Sequence, residues 1–305
     1  MRIISLISSA TEIICSLGQK NNLVGISHEC DYPKDIQNLP VCSLPRFDTS
    51  GSSLEVDRDV KSLIQSALSV YRINEDALKE LKPDIIVTQS QCDVCAVSEK
   101  DVENALKNIL GIDPIIVSLC PKDIEDIKED IKAIANALGI PDIGAEESEK
   151  FAKEIEGLAS LEKTAIKPSV ACIEWIEPLM YAGNWVPQMV EIAGGENLFS
   201  VKGEHSSWSD YDTLFRSNPD KIILMPCGYD LDKIRLEMNP LLDLPFWNSL
   251  NAVKTDNVFI TDGNQYFNRP GPRLIDSIKI LIEIISEENN LFGFKDSGWE
   301  RFYSY

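Results

Sequence analysis

The sequence predicts an α/β protein of two lobes, each built on a mostly parallel central sheet, with one long helix joining them. Three observations carry this. Apolar β-rich runs alternate with helix-patterned segments as far as residue 120; the alternation restarts at residue 167; and the intervening stretch, 121–166, is charged, helix-forming and free of strand patterns. Regular alternation implies parallel strands covered by helices on both faces. A chain of 305 residues suits two lobes or one large domain. The expected boundaries are 1–140 for the first α/β lobe, 141–166 for the joining helix and 167–305 for the second lobe with its aromatic tail. Two ordinary surface helices of a single domain would read similarly over 121–166.

Each element has a local cause. "MRIISLIS" (1–8) is an apolar, β-branched run. "SATEIICSLG" (9–18) has helical spacing, closes on Gly18, and sets Ser9 and Glu12 as a capping box. "NLVGIS" (22–27) is a second strand opening into "HECDYP" (28–33), and a polar stretch follows over 42–59. "DVKSLIQSALS" (59–69) and "NEDALKELK" (74–82) are helical, and "PDIIVTQ" (83–89) is a strand. "SEKDVENALKNILG" (98–111) is a helix and "DPIIVSL" (113–119) a strand. "GAEESEKFAKEIEGLASLEK" (144–163) is the candidate joining helix. In the second half, strands are expected at 168–176, within 212–227 and at 256–263, and a long closing helix at 271–286. Ser207 or Ser209 is placed to cap the helix that begins near Tyr211. The halves share an architecture without an obvious sequence repeat.

Bulk composition bounds the function. Apolar residues make up 44% and charged residues 26%, enough for a packed core. The net charge of −20, without a Lys/Arg-rich stripe, excludes nucleic acid and anionic membranes as partners. Glu12 interrupts the N-terminal apolar stretch, which therefore reads as a strand and helix rather than an export leader. Eight scattered cysteines do not make a disulfide scaffold. Both points lead to the expectation of a cytoplasmic protein, and a trimmed mature form would instead be periplasmic or on the cell surface; a monomer is expected.

Ligands of open parallel sheets bind beyond the carboxyl ends of the strands. The loops there are 27–33, 90–98, 174–185, 225–230 and 262–273, and they collect Trp175, Trp185, Tyr181, Tyr229, Tyr266, one of the two histidines and four of the eight cysteines. Aromatic rings with a few polar groups suit a small-molecule pocket. Cys92 and Cys95 have metal-clamp spacing, and His28 with Cys30 is a poor second pair for zinc. A redox dithiol ahead of a helix, and thiols packed as small apolar groups, remain open beside zinc. No hydrolase elbow, dinucleotide fingerprint or phosphate loop is present, so the chain is not expected to be an enzyme. His28 and Glu29, adjacent on an extended segment, are expected to point apart.

Together "IISLISSATEIICSLG…LVGISHECDYP", "LKPDIIVT", "GGENLF", "NPDKIIL" and the closing "RPGPRL" resemble the substrate-binding proteins of vitamin B12 and iron–siderophore ABC importers, over residues 2–285 and nearest to the cobalamin-binding branch. The resemblance implies the class III periplasmic-binding-protein fold: two lobes bridged by one rigid helix, with a corrinoid or related metal chelate as ligand, and no obligatory cofactor, in the cleft between them. It places ligand contacts at Thr11 and Glu12, at His28, Glu29, Cys30, Asp31 and Tyr32, at Gln91, Cys92 and Cys95, at Trp175, Trp185, Cys227 and Tyr229, and at Gln265, Tyr266, Asn268 and Arg269. It also implies docking on an ABC permease through one acidic residue per lobe: Asp212 in the second lobe, Glu75 or Asp76 in the first. Asp for the usual Glu shortens that reach, and the insert at 43–72 departs from shorter members. Coordination of a cobalt by His28, Cys92 or Cys95 is the accompanying metal expectation. The alternative is a cytoplasmic metal- or redox-handling protein using the same three residues.

Overall fold

The computed structural model describes residues 1–66, 69–91, 97–107, 113–163, 166–287 and 291–303. The chain divides into two compact units. One comprises Met1–Gly51, Glu55–Pro121 and Glu125–Ala152; the other comprises Ser52–Leu54, Lys122–Ile124 and Lys153–Tyr305. The main passage from one to the other falls inside a single 19-residue helix.

In chain order the first half runs β1 (Ile3–Ser5), α1 (Ser8–Ser16), β2 (Leu23–Ser27), β3 (Val41–Pro45), α2 (Ser53–Gln65), β4 (Tyr71–Ile73), α3 (Glu75–Leu81), β5 (Ile85–Gln89), α4 (Glu99–Lys107), β6 (Ile115–Leu119), α5 (Ile124–Ala137) and the long α6 (Pro141–Ala159). The sheet order is β4-β3-β2-β1-β5-β6, parallel except where β4 turns back on β3. Ile4, Leu6, Ile86, Leu78 and Val102 meet in its core.

The second half runs β7 (Ser169–Trp175), β8 (Met180–Tyr181), α7 (Val186–Ile192), β9 (Glu196–Asn197), β10 (Ser207–Trp208), α8 (Tyr211–Ser217), β11 (Lys221–Leu224), α9 (Leu231–Leu236), α10 (Asn239–Leu242), α11 (Asn251–Lys254), β12 (Val258–Thr261), α12 (Leu274–Ser286) and β13 (Trp299–Arg301). Its sheet order is β10-β8-β7-β11-β12-β13, with β9 paired beside β7. The centre, β7-β11-β12, is parallel, and antiparallel strands close both edges. Ile173, Ile222, Leu224, Ile260 and Trp247 are fully or almost fully buried in its core.

The tail is built into this unit. Glu283 on α12 is fully buried, and its carboxylate accepts from the backbone N–H of Phe292 (2.5 Å) and Gly293 (2.9 Å) and from Trp299 Nε1 (2.6 Å). A buried charge needs such multiple donors to offset its desolvation.

The two units share a short sequence repeat built around a helix and the Pro-Asp that follows it. In the first, Asn74 caps α3 by accepting from Ala77 N at 3.1 Å; the helix ends at Lys82 with φ 44°, and Pro83-Asp84 leads into β5. In the second, Asp210 caps α8 by accepting from Thr213 N at 2.7 Å; the helix ends at Asn218 with φ 44°, and Pro219-Asp220 leads into β11. Proline cannot continue a helix, so both stop at the same point. The aspartate then clamps the neighbouring central strand. Arg2 N donates to Asp84 Oδ2 at 2.7 Å while Asp84 N donates to Arg2 O at 2.8 Å. Ser169 N donates to Asp220 Oδ2 at 2.9 Å while Asp220 N donates to Ser169 O at 3.0 Å. Asp210, not Ser207 or Ser209, is the cap of α8 because its carboxylate lies one residue before the first turn. Nor do Ser9 and Glu12 form a capping box: α1 begins at Ser8, and both residues are buried within it.

Asp220 yields a test. Bonds from the Ser169 amide and hydroxyl and from Asn251 Nδ2 hold its carboxyl below the ordinary range. A depressed carboxyl pKa stabilises the fold above the unfolded value and ceases to do so as pH falls through the folded one. Asp220→Ala is expected to cost about 2–3 kcal/mol at pH 7. In urea titrations its deficit against wild type should shrink below about pH 4.

Candidate functional site

The loops after the parallel strands differ in character between the units. In the first unit, the segment after β2 turns back at once. Cys30 N donates to Ser27 O at 3.1 Å, and Glu29 N to Ser27 Oγ at 3.1 Å. Ser8 Oγ donates to Glu29 O at 3.0 Å, tying the turn to α1. This turn, not an extended segment, brings His28 Nε2 within 3.7 Å of Glu29 Oε1, contrary to the expectation that the two point apart. The imidazole lies 5.4 Å from the Tyr71 ring, with Nδ1 3.3 Å from Ser43 Oγ. Burial pushes its pKa below the usual histidine value.

Three of the expected contacts face inward. Thr11 is fully buried and donates to Ser5 Oγ at 2.7 Å; Cys30 Sγ lies 3.1 Å from Thr11 Oγ1; Glu12 is 4% exposed. These groups set the shape of the turn rather than its outer face. The outer face carries Glu29, Asp31 and Tyr32, the last 44% exposed, and Gln91 is half-buried beyond β5. Cys92 and Cys95 lie outside the described residues. Among the described residues, no three His, Cys, Asp or Glu side chains converge to hold a metal ion.

In the second unit the corresponding loops are aromatic and tightly bonded. Trp175, ending β7, packs at 5.3 Å on the ring of Tyr229, and its Nε1 donates at 3.2 Å to Ser53 O, also part of this unit. Tyr229 is 4% exposed, its hydroxyl has no hydrogen-bond partner among the described residues, and burial raises its pKa. Lys233 Nζ lies 5.3 Å above the same ring, and Cys227 is exposed next to it in sequence. Trp185 is buried, with Nε1 donating to Phe267 O at 2.6 Å.

The 262–269 loop is held by its own polar groups. Asp262 Oδ1 accepts from Asn264 N and Gln265 N, and burial raises its pKa. Asn268 Nδ2 donates to Met225 O at 3.0 Å and Gly263 O at 2.9 Å. Arg269, 7% exposed, donates to Asn264 Oδ1 at 3.1 Å. Arg273 donates to Gln265 Oε1 at 3.1 Å and lies 5.6 Å over the Tyr266 ring. Asn268 and Arg269 thus spend donors on the loop itself. Gly263 was not singled out in the sequence, yet a Cβ there would sit 2.1 Å from Pro226 O, so the loops after β11 and β12 meet backbone to backbone. Its signal is the Asp-Gly pair after a strand.

An α/β chain with two sheets, whose strand-end loops gather rings and exposed carboxylates, has the form of a solute-binding protein. Comparison bears on which kind. The profile described as "Periplasmic binding protein" matches residues 3–265. The vitamin B12-binding protein of Pectobacterium carotovorum is 24% identical over 281 residues, 90% of this chain and 84% of that one. In fold, the periplasmic heme-binding protein from Roseiflexus sp. RS-1 is similar with a TM-score of 0.67 at 20% identity, covering 94% of this chain and 98% of that one. The periplasmic vitamin B12-binding protein of Vibrio cholerae is similar with a TM-score of 0.64 at 19% identity, covering 93% and 96%. The chain belongs to the periplasmic binding protein family and has its class III fold.

Membership overturns the expectation of a cytoplasmic protein. The apolar N-terminal run on which that expectation rested is β1 and α1, interior parts of a folded unit, and carries no information on compartment. Nor do the thiols: Cys30, Cys42 and Cys172 are buried, and burial raises Cys42 and Cys172 to about 12, which makes them unreactive packing groups in any compartment.

His28 gives a test of this geometry. A base whose folded pKa is lowered leaves the unfolded chain binding more protons, so stability falls as pH drops below about 6.5. Ring-carbon NMR is expected to show His28 titrating below the ordinary histidine value of about 6.5, and His28→Gln should flatten the stability loss between about pH 7 and 5. Titration of His28 at or above that value would contradict the buried placement.

Proposed function

We propose that the chain is the substrate-binding component of an ABC importer for a corrinoid. The observation that carries the choice of ligand is the outer face of the turn after β2: residues 28–33 expose Glu29 and Tyr32, leave Asp31 half-buried, and include no Lys or Arg, while burial lowers the pKa of their one imidazole, His28. In a chain of net charge −20, carboxylate-bearing chelates such as heme meet repulsion at that face. A corrin, rimmed with amides, donates hydrogen bonds to carboxylates instead. The rings of Trp175 and Tyr229 in the second unit offer an apolar surface for a macrocycle. In the first unit the proposed contacts are Glu29, Asp31 and Tyr32 with Gln91, held by Thr11, Glu12 and Cys30; in the second they are Trp175, Gln265 and Tyr266, held by Trp185, Tyr229, Asn268 and Arg269. Asp76 on α3 and Asp212 on α8, both exposed and at the same position of the repeated segment, are the proposed permease contacts; Glu75, one residue earlier, is half-buried.

Calorimetric titration with cyanocobalamin, cobinamide and hemin decides this. The corrinoids are expected to bind at least about tenfold more tightly than hemin, and Glu29→Lys with Asp31→Lys to narrow the gap. Tighter hemin binding would reject the corrinoid and leave the receptor role standing; a chain that binds none of the three would lose both.

A further inference from the structure

Residues 52–54 part company with their sequence neighbours. Gly51 and Glu55, on either side, belong to the first compact unit, whereas Ser52–Leu54 belong to the second. The segment falls inside the 43–72 insert, which supplies none of the proposed contacts. Ser53, the first residue of α2, is 1% exposed and is held from two sides. Its N–H donates to Glu237 Oε2 at 2.8 Å, and its carbonyl accepts from Trp175 Nε1 at 3.2 Å. Glu237 ends α9, its side chain is only 11% exposed, and its Oε1 lies 3.2 Å from Lys233 Nζ. Lys233 Nζ stands 5.3 Å over the Tyr229 ring, which packs at 5.3 Å on Trp175. The contacts close into a circuit: Ser53, Glu237, Lys233, Tyr229, Trp175 and back to Ser53. A first-turn amide of a helix has no acceptor within that helix, so the Glu237 carboxylate answers a need of α2. A charged acceptor makes the stronger bond.

We infer that residues 52–54 form a fixed strap that sets the orientation of the Trp175 indole, and that Glu237 is a positioning residue for the surface that receives the macrocycle. This rests on the receptor reading above. With its N–H pinned to Ser53 O and its ring against Tyr229, the indole is ordered before any ligand arrives. A side chain ordered in advance adds no ordering cost to association. Glu237 acts through Ser53. Without the carboxylate, Ser53 N loses its acceptor and Lys233 its partner, and the carbonyl that holds the indole is no longer fixed.

Two measurements on the full chain test this. In the ligand-free protein, nitrogen-15 NMR reads the Trp175 indole N–H, assigned by its loss in Trp175→Phe. Its exchange with solvent is expected to speed up about tenfold or more in Glu237→Ala. In Glu237→Gln, whose amide oxygen still accepts from Ser53 N, it should stay within about twofold of wild type. Ser53→Pro is tolerated at a first helical position and removes the same bond from the strap's side, so it should match Glu237→Ala. Calorimetry with cyanocobalamin reads the ligand role. Glu237→Ala should weaken binding about fivefold and Glu237→Gln less than about twofold. Trp175→Phe with Glu237→Ala should lose no more than about twofold beyond the weaker-binding single variant, since both cut one path. Unchanged indole exchange in Glu237→Ala and Ser53→Pro, or additive losses in the double variant, would overturn the strap and leave the receptor reading intact. Wild-type protein that binds no corrinoid would overturn the corrinoid reading and, with it, the ligand role of Glu237, while indole exchange would still decide the strap.

Discussion

The carboxylate clamp that follows each Pro-Asp sets the geometry on which both sheets depend. A parallel pair can slip by one residue, and a slip would turn every buried side chain to the wrong face. Here the aspartate side chain takes the N–H of one strand while its own N–H returns to the carbonyl of the same residue. Register is thereby fixed at the amino end of the central pair, β1·β5 in one unit and β7·β11 in the other. The carboxyl ends, where the candidate contacts lie, inherit their positions from it. The left-handed residue ahead of the proline is what lets a seven-residue helix deliver the aspartate to that point.

The units use this common frame differently. In the first, polar groups turn inward: Thr11 bonds both Ser5 and Cys30, leaving an acidic outer turn. In the second, rings dominate, and the polar side chains of 262–269 are largely spent on keeping that loop rigid.

Strand–helix alternation and the long charged helix were legible because burial on both faces imposes long apolar runs, as in "PDIIVTQ" and "DKIIL". The strands β3 and β4 were not. Val41 and Leu44 are exposed at 39% and 38%, whereas Cys42 and Ser43 are buried, so the apolar pattern runs opposite to the core. β13 was hidden for a different reason: it is an edge strand held by one buried glutamate far from it in sequence. Among the site residues, the loops could be collected from the sequence but not the direction of each side chain. Thr11 and Trp185 turn inward because of partners at Ser5 and Phe267 that no local pattern announces. The repeat around the clamps is faint in the sequence because only Asp76, Leu78, Pro83, Asp84 and Ile86 recur, as Asp212, Leu214, Pro219, Asp220 and Ile222, among otherwise unlike residues.

The clamps also bear on how the chain is made. Asp84 closes onto a residue 82 positions earlier and Asp220 onto one 51 positions earlier. The clamp on β1 can therefore close only once the chain through β5 is available, although β2 can pair with β1 earlier. The second sheet, with its shorter wait, starts from Ser169 without calling on any strand of the first.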